Sequence, residues 1–281
     1  MPELPEVETI RRDLRPSLKG RLIREVIISP DPKGARLLRR YPSPKKFIAA
    51  LTGRRILDLK RRGKYLLFPL ETGEDLIVHL GMSGQLLLLP LGETPPRHTR
   101  LVWKIRGAGQ LCLVDPRKFG EVYLYSLRSK TTLINPDCLG MEPLGNVFTP
   151  VELARGLAGR KTVIKSALLN QKIIAGLGNI YSDEALFRAR IHPLRKSYTL
   201  TEDEIERLHR AIRGVLREAI KYRGTSAADR QYVDGKGRPG KFQDRLKVYQ
   251  REGKPCPRCG EIIRTRKIGG RTAHFCPACQ H

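Results

Sequence analysis

The sequence has no apolar stretch long enough to cross a bilayer. Its longest run, Leu86 to Leu91, contains a proline and falls far short of the roughly 20 residues that a spanning helix needs. The first residues, Met1-Pro2-Glu3-Leu4-Pro5-Glu6, carry acid where a secretory signal would carry a basic segment and then an apolar one. Internal repeats and low-complexity tracts are also absent. These shortages predict a soluble, cytoplasmic protein with no membrane partner. Acidic residues are scarce too: 28 Asp and Glu stand against 54 Lys and Arg, a formal charge of +26 at pH 7. The basic excess is spread along the chain rather than gathered in a tail. Its natural counterpart is a polyanion, of which nucleic acid is the commonest soluble kind; a merely basic surface is the alternative. With 40% hydrophobic and 29% charged residues, the 281-residue chain can bury a core and has room for two ordinary domains.

Apolar positions Leu4, Val7, Ile10 and Leu14 recur at helical spacing, and Pro5 is tolerable in a first turn, so residues 2–18 predict an N-terminal helix. Strand-like runs follow at 21–29, 55–60, 65–70, 75–80, 85–89, 101–105, 110–114 and 121–125, separated by turn residues. Short strands with no helices between them predict an antiparallel sandwich or barrel over residues 1–130. Residues 131–149, with Asn135-Pro136-Asp137 and Glu142-Pro143-Leu144-Gly145, read as a linker. Helical patterns occupy 150–223: one opened by Thr149-Pro150, then 164–174, 181–190 and 201–222. In the last, Ile205, Leu208, Ile212, Val215, Leu216 and Ala219 mark a buried face. Residues 223–240 are rich in Gly, Asp and basic residues without periodicity. They predict a mobile surface loop within a connecting region at 224–250.

Residues 251–281 hold four of the six cysteines as Cys256-Pro257-Arg258-Cys259 and Cys276-Pro277-Ala278-Cys279. Each C-x-x-C places two thiolates on one ion from a tight turn, and two such knuckles complete a tetrahedral site for one structural Zn²⁺. Four protein ligands close the site, and so small a unit needs the metal to fold. Two disulfides or a redox pair are the alternatives. Cys112 and Cys138 stand alone and read as ordinary buried residues. Between the knuckles runs a basic hairpin with a Gly269-Gly270 turn, suited to reading phosphate or a groove; the alternative is a folding staple with solvated arginines.

The motifs Pro2-Glu3-Leu4-Pro5-Glu6-Val7-Glu8-Thr9, Gly63-Lys64-Tyr65-Leu66, His79-Leu80-Gly81-Met82-Ser83-Gly84, Asp115-Pro116-Arg117-Lys118-Phe119-Gly120 and Gly176-Leu177-Gly178-Asn179-Ile180-Tyr181 stand in this order before the cysteine hairpin. In that order and over the whole chain they resemble the bacterial formamidopyrimidine-DNA glycosylase family. The related endonuclease VIII group, which acts on oxidised pyrimidines, typically has Gly where Leu4 stands. The resemblance implies an α+β fold with an N-terminal antiparallel β-sandwich, a helix-two-turn-helix domain and a zinc finger. It also implies a monomeric enzyme that removes 8-oxoguanine and formamidopyrimidines from duplex DNA and then cleaves the abasic strand. A catalytically silent zinc-ribbon DNA-binding protein is the rival reading from another class.

Elementary chemistry agrees with the family's choice of nucleophile. An α-amino group has a pKa of about 7.7–8.0 against about 10.4 for lysine, so far more of it is neutral at pH 7. Once Met1 is removed, Pro2 presents a secondary amine that condenses with C1′ of a sugar to a charged iminium, an electron sink for elimination. By itself a proline at position 2 says nothing; the resemblance assigns it this role. It likewise implies Glu3 as the acid and base beside the amine, with Glu6 as a second, orienting group. It gives Lys64 to β-elimination and Arg271 to δ-elimination. Without it, Glu3 and Glu6 read as helix-dipole partners and the two cations as phosphate contacts. Met82, Arg117 and Phe119 match the family's triad that fills the space left by a flipped base; core packing is the alternative for Met82 and Phe119. Lys118 stands where the family commonly has a second Arg. Arg160, Lys161, Lys165 and Asn179 form the implied phosphate clamp with the Gly-Leu-Gly turn, and His98 matches a further DNA contact.

If about six phosphates are neutralised, log affinity for duplex DNA is expected to fall with log salt at a slope near −5. Filter binding across a salt series measures it, and a slope near zero would remove the polyanion argument.

Overall fold

A computed structural model describes residues 1–30, 37–39, 41, 43–126, 138–226 and 232–281. The chain packs as two compact units, Met1–Pro136 with Tyr222–Lys241, and Asp137–Lys221 with Phe242–His281. Among the described residues no helix is long and apolar enough to cross a membrane.

The first unit opens with α1 (Leu4–Leu18), which buries Leu4, Val7, Ile10, Leu14 and Leu18 at the expected spacing. Two antiparallel four-stranded sheets follow. One has the order β1 (Ile23–Ile28), β6 (Thr99–Ile105), β7 (Gly109–Val114), β5 (Gln85–Leu89); the other has β2 (Lys60–Arg62), β3 (Tyr65–Pro69), β4 (Asp75–His79), β8 (Glu121–Tyr125). Alternate residues of both sheets face one core, among them Leu101, Trp103 and Ile105 of β6, Leu66 and Phe68 of β3, and Leu76 and Val78 of β4. The period of two seen in the sequence is this pleat.

Two expectations are corrected. A helix, α2 (Pro44–Leu51), lies between β1 and β2; Ser43 caps it by accepting the Lys46 N–H. Eight residues with only Phe47 and Leu51 buried are too few to show a helical period. Residues 55–59 do not form a strand. Arg55 and Ile56 make isolated bridges to Leu22 and Leu70, and pairing begins at β2, across a two-residue turn from β3.

The segment expected as a loop at 223–240 is anchored at both described ends, while residues 227–231, like 131–137 of the linker, lie outside the described residues. Arg223 donates to Asp13 of α1 at 2.5 Å and also pairs with Asp234. Asp234, fully buried, accepts the N–H groups of Lys236 and Arg238 at 2.9 and 3.0 Å. The hydroxyl of buried Tyr232 donates to the Arg223 carbonyl at 3.1 Å. Polar bonds, together with Tyr232 packed in the core, hold the described parts of this segment, and neither leaves a period in the sequence.

In the second unit α3 (Pro150–Leu157), α4 (Ile164–Leu169), α5 (Asn179–Ala189) and α6 (Glu202–Lys221) precede a hairpin of β9 (Arg264–Ile268) and β10 (Arg271–Phe275). α4 ends sooner than the expected 174, because Asn170 turns the chain by accepting the Lys172 N–H. α6 buries Leu208, Ile212, Val215, Leu216 and Ala219 as its spacing predicts, while Ile205, expected on the same face, is only half-buried.

One ionic cluster ties α1 to the sheets. Glu8 accepts two hydrogen bonds from Arg11, at 2.9 and 2.8 Å, one from Arg12 at 2.8 Å, and one from Arg61 of β2 at 3.1 Å. Burial pushes its carboxyl pKa up, but the Arg11 and Arg12 hydrogen bonds and the Arg61 charge outweigh it and bring the value from 4.5 to about 2. Since the folded pKa lies below the unfolded one, the stability this group contributes is present above pH 4.5 and lost as pH falls toward 2. Glu8→Gln is expected to lower the melting temperature at neutral pH and to flatten its decline between those limits. Coincident melting temperatures for both proteins at every pH would show that the cluster contributes nothing.

Candidate active site and nucleic-acid interface

The start of α1 gathers the residues expected at the chemical centre. Pro2 and Glu3 are buried, Glu3 being 2% exposed, while Met1 remains exposed. Glu3 is the N-cap, and Glu6 reaches back to accept its N–H at 2.8 Å, the return half of a capping box. The other oxygen of Glu6 accepts the Thr225 N–H at 2.8 Å. Glu6 thus bridges the helix start and the anchored 223–226 stretch. Gly224, at φ +79°, lies against it so closely that an added Cβ would stand 2.7 Å from the Glu6 carboxylate. Lys64 is buried in the turn between β2 and β3. Gly63 takes φ +56° at the first central position, and Arg62 pairs with Tyr65 across the turn.

Met82, Arg117 and Phe119 come from two loops that one carboxylate holds together. Asp115, fully buried, accepts the Ser83 hydroxyl and the Gly120 N–H, each at 2.8 Å. Its carbonyl accepts Arg100 Nε at 3.1 Å, and its N–H donates to the His98 carbonyl at 3.0 Å. Gly81 packs on the Phe119 backbone where an added Cβ would meet the carbonyl oxygen at 2.4 Å, so only glycine fits. On this support Phe119 is 46% exposed, with the Arg117 guanidinium 5.3 Å from its ring centroid. An aromatic so exposed is not core packing. Met82 is half-buried, Arg117 and His98 are exposed, and Lys118 adopts φ +59° between Arg117 and Phe119.

In the second unit Gly176 takes φ +84° and Gly178 caps α5 in extended conformation, with Gln171 holding the turn through the Gly176 N–H and the Leu177 carbonyl. Arg160 and Lys161 are exposed. Lys165 is not available to phosphate, which corrects its expected place in the clamp. Its fully buried ammonium donates to Asp183 at 2.6 Å, to the Ser182 hydroxyl at 2.7 Å and to the Asn179 carbonyl at 3.0 Å. The second oxygen of Asp183 accepts the His274 N–H at 3.0 Å, while Asn179 Nδ2 donates to the Thr272 carbonyl at 3.0 Å. Asn179 and Asp183 therefore fix β10 on one face of α5. Arg271 opens β10 after Gly269-Gly270, both at positive φ, and is exposed with no partner among the described residues.

The four cysteines of the two knuckles place their sulfurs within 4.8 Å of one another, and all are free thiols. Cys256 and Cys279 sulfurs lie 4.0 Å apart, Cys259 and Cys276 sulfurs 3.5 Å. Tetrahedral Zn–S bonds of about 2.3 Å set sulfur separations near about 3.8 Å, so the set fits a zinc ion and not two disulfides. Burial raises the Cys279 thiol to about 12, a proton that a bound cation would displace. Cys112 is buried as expected, whereas Cys138 is exposed.

Sequence reasoning missed Asp115, Asp13, Arg223, Asp234 and the Lys165 to Asp183 pair. It also missed Glu184, fully buried, whose carboxylate accepts N–H groups of Lys247, Val248 and Tyr249 at 2.9 to 3.1 Å. Acidic residues in so basic a chain were the available signal.

Comparison with known proteins follows the same order of parts. Residues 1–122 match the formamidopyrimidine-DNA glycosylase N-terminal domain, 139–231 its H2TH domain, and 253–281 the zinc finger found in FPG and IleRS. The formamidopyrimidine-DNA glycosylase of Pelotomaculum thermopropionicum is 46% identical over 282 residues, covering 100% of this chain and 99% of the relative. The crystal structure of MutM (Fpg) from Thermus thermophilus superposes with a TM-score of 0.87 at 43% identity, covering 99% of this chain and 98% of that one. A mutant of Lactococcus lactis Fpg, in a complex with Fapy-dG-containing DNA, gives 0.89 at 37% identity over 100% of both chains. Sandwich, H2TH unit and cysteine hairpin together define the class of H2TH zinc-finger proteins. The chain belongs to the formamidopyrimidine-DNA glycosylase family, also called Fpg or MutM.

Metal analysis is expected to find one zinc per chain, held by Cys256, Cys259, Cys276 and Cys279. Chelation should abolish DNA binding with the sandwich still folded by circular dichroism. Finding no metal, or undiminished DNA binding by a Cys276→Ser protein, would count against the site.

Proposed function

We propose that this protein is a bifunctional base-excision repair enzyme. It removes 8-oxoguanine and formamidopyrimidines from duplex DNA and then cleaves the abasic strand by β,δ-elimination. The observation that carries the reading is the pair of loops tied by Asp115, which hold Arg117 and Phe119 outward beside half-buried Met82. A base extruded from a duplex leaves a gap whose lost stacking must be replaced. Met82 plugs it, Arg117 bonds the orphaned partner base, and Phe119 wedges the step. The membership of the chain in a DNA glycosylase family supports the same reading.

Removal of Met1 frees the Pro2 nitrogen. Its lone pair forms a bond to C1′ as the bond to the damaged base breaks, the base leaving with the electron pair and taking a proton. Glu3 handles protons there, with Glu6 fixing the backbone beside it. Sugar-ring opening yields the iminium, which accepts electrons as the C2′ proton leaves and the 3′ phosphate departs. Lys64 assists this first elimination, and Arg271 the second, at the 5′ side. His98, Arg160, Lys161 and the N-terminus of α5 with Asn179 hold phosphates. Cys256, Cys259, Cys276 and Cys279 would hold a zinc ion whose part is structural alone, closing the hairpin that carries Arg271.

Arg117→Ala is expected to slow excision of 8-oxoguanine more than cleavage of a preformed abasic site, which requires no base to be flipped. Equal losses would count against the inserting role. Borohydride added during turnover should trap a protein–DNA adduct whose linked peptide begins at Pro2. A residue placed before Pro2 that cannot be removed should abolish both adduct and nicking. An adduct mapped to Lys64, or nicking by the blocked protein, would reject Pro2 as the nucleophile.

A further inference from the structure

Glu8 and Arg61 are charged groups in an enclosed place, their side chains 9% and 8% exposed. Arg61 uses its fork in two directions. Nε donates to Glu8 at 3.1 Å, and Nη1 donates to the carbonyl of Gly63 at 3.0 Å. Gly63 is the first residue of the two-residue turn joining β2 to β3, and Lys64 is the second. The carboxylate is held on its other side by Arg11 and Arg12, which fix its orientation relative to α1. One rigid chain of charge-assisted bonds therefore runs from the helix that begins beside Pro2 and Glu3 to the backbone of the turn that carries Lys64.

We propose that Glu8, acting through Arg61, is a positioning residue for Lys64: it fixes the Gly63-Lys64 turn to the helix whose first residues carry the amine and the acid. This rests on the reading of Lys64 as the residue that assists β-elimination. A buried guanidinium left without its carboxylate would reorient toward water, and the turn would lose the bond to Gly63. Lys64 would remain present but displaced, and errors of about 1 Å in placing such a group cost up to about a hundredfold in rate. A lysine at position 61 keeps the charge but, as a single point donor, cannot serve carboxylate and carbonyl with the fixed geometry of the fork.

The test is single-turnover cleavage of a duplex with a preformed abasic site by the full-length zinc-loaded protein. It compares wild type, Lys64→Gln, Glu8→Gln, Arg61→Lys and the double variant Glu8→Gln with Lys64→Gln. Glu8→Gln and Arg61→Lys should each slow strand cleavage about ten- to a hundredfold. The DNA concentration for half-maximal rate and the yield of borohydride adduct should not change. In the Lys64→Gln background the Glu8→Gln change should have no further effect, since its whole action passes through Lys64. An equal slowing in both backgrounds would assign Glu8 a merely structural role and overturn the proposal. So would slow Lys64→Gln beside wild-type cleavage by Glu8→Gln and Arg61→Lys. Wild-type cleavage by Lys64→Gln would instead overturn the elimination role of Lys64, and the positioning proposal with it. Arg61→Lys retains the buried ion pair and decides the matter if Glu8→Gln fails to fold.

Discussion

The architecture of the first unit depends on carboxylates of a single helix. α1 carries Glu6, Glu8 and Asp13, and each holds a different stretch of chain: Glu6 the backbone at Thr225, Glu8 the Gly63-Lys64 turn through Arg61, Asp13 the guanidinium of Arg223. With 54 basic and 28 acidic residues, one-to-one pairing would leave 54 − 28 = 26 cations without an acid. Where a carboxylate is buried, it therefore organises several donors at once instead of forming a simple pair. Such clusters set position more than they add stability, since burying charge offsets much of the Coulombic gain.

The second unit repeats the principle on α5. Asn179 and Asp183, one turn apart on the same face, take hold of β10 at Thr272 and His274. Glu184, next in sequence, gathers three backbone N–H groups of the segment leading to the cysteine hairpin. Burial raises the Glu184 carboxyl above its ordinary range against those hydrogen bonds. Polar contacts thus register β10, which opens with Arg271, on α5.

Between these anchors, glycine and Asp115 determine how closely loops approach. The loops bearing Met82 and Phe119 touch backbone to backbone at Gly81, a contact no side chain would permit. Rigid support beneath and exposure above suit the inserting role proposed for these side chains.

Much of this was legible in the residues themselves. The periods of α1 and α6, the alternation of the sandwich strands and the paired C-x-x-C knuckles reflect local rules, in which neighbours in sequence share a face or a ligand. The motif order that resembles the family marked Pro2, Lys64, Arg117, Phe119 and Arg271. What the residues alone could not show depends on partners far apart in the chain. Lys165 stands with basic neighbours, yet it is a buried partner of Asp183. Residues 223–240 lack an apolar period, yet Arg223 binds Asp13, 210 positions away. Sequence by itself determined most of the elements, the four-cysteine cluster and the family. Tertiary structure decided which charges are buried and which face outward, because a charge's surroundings are set by distant chain segments that no local pattern encodes.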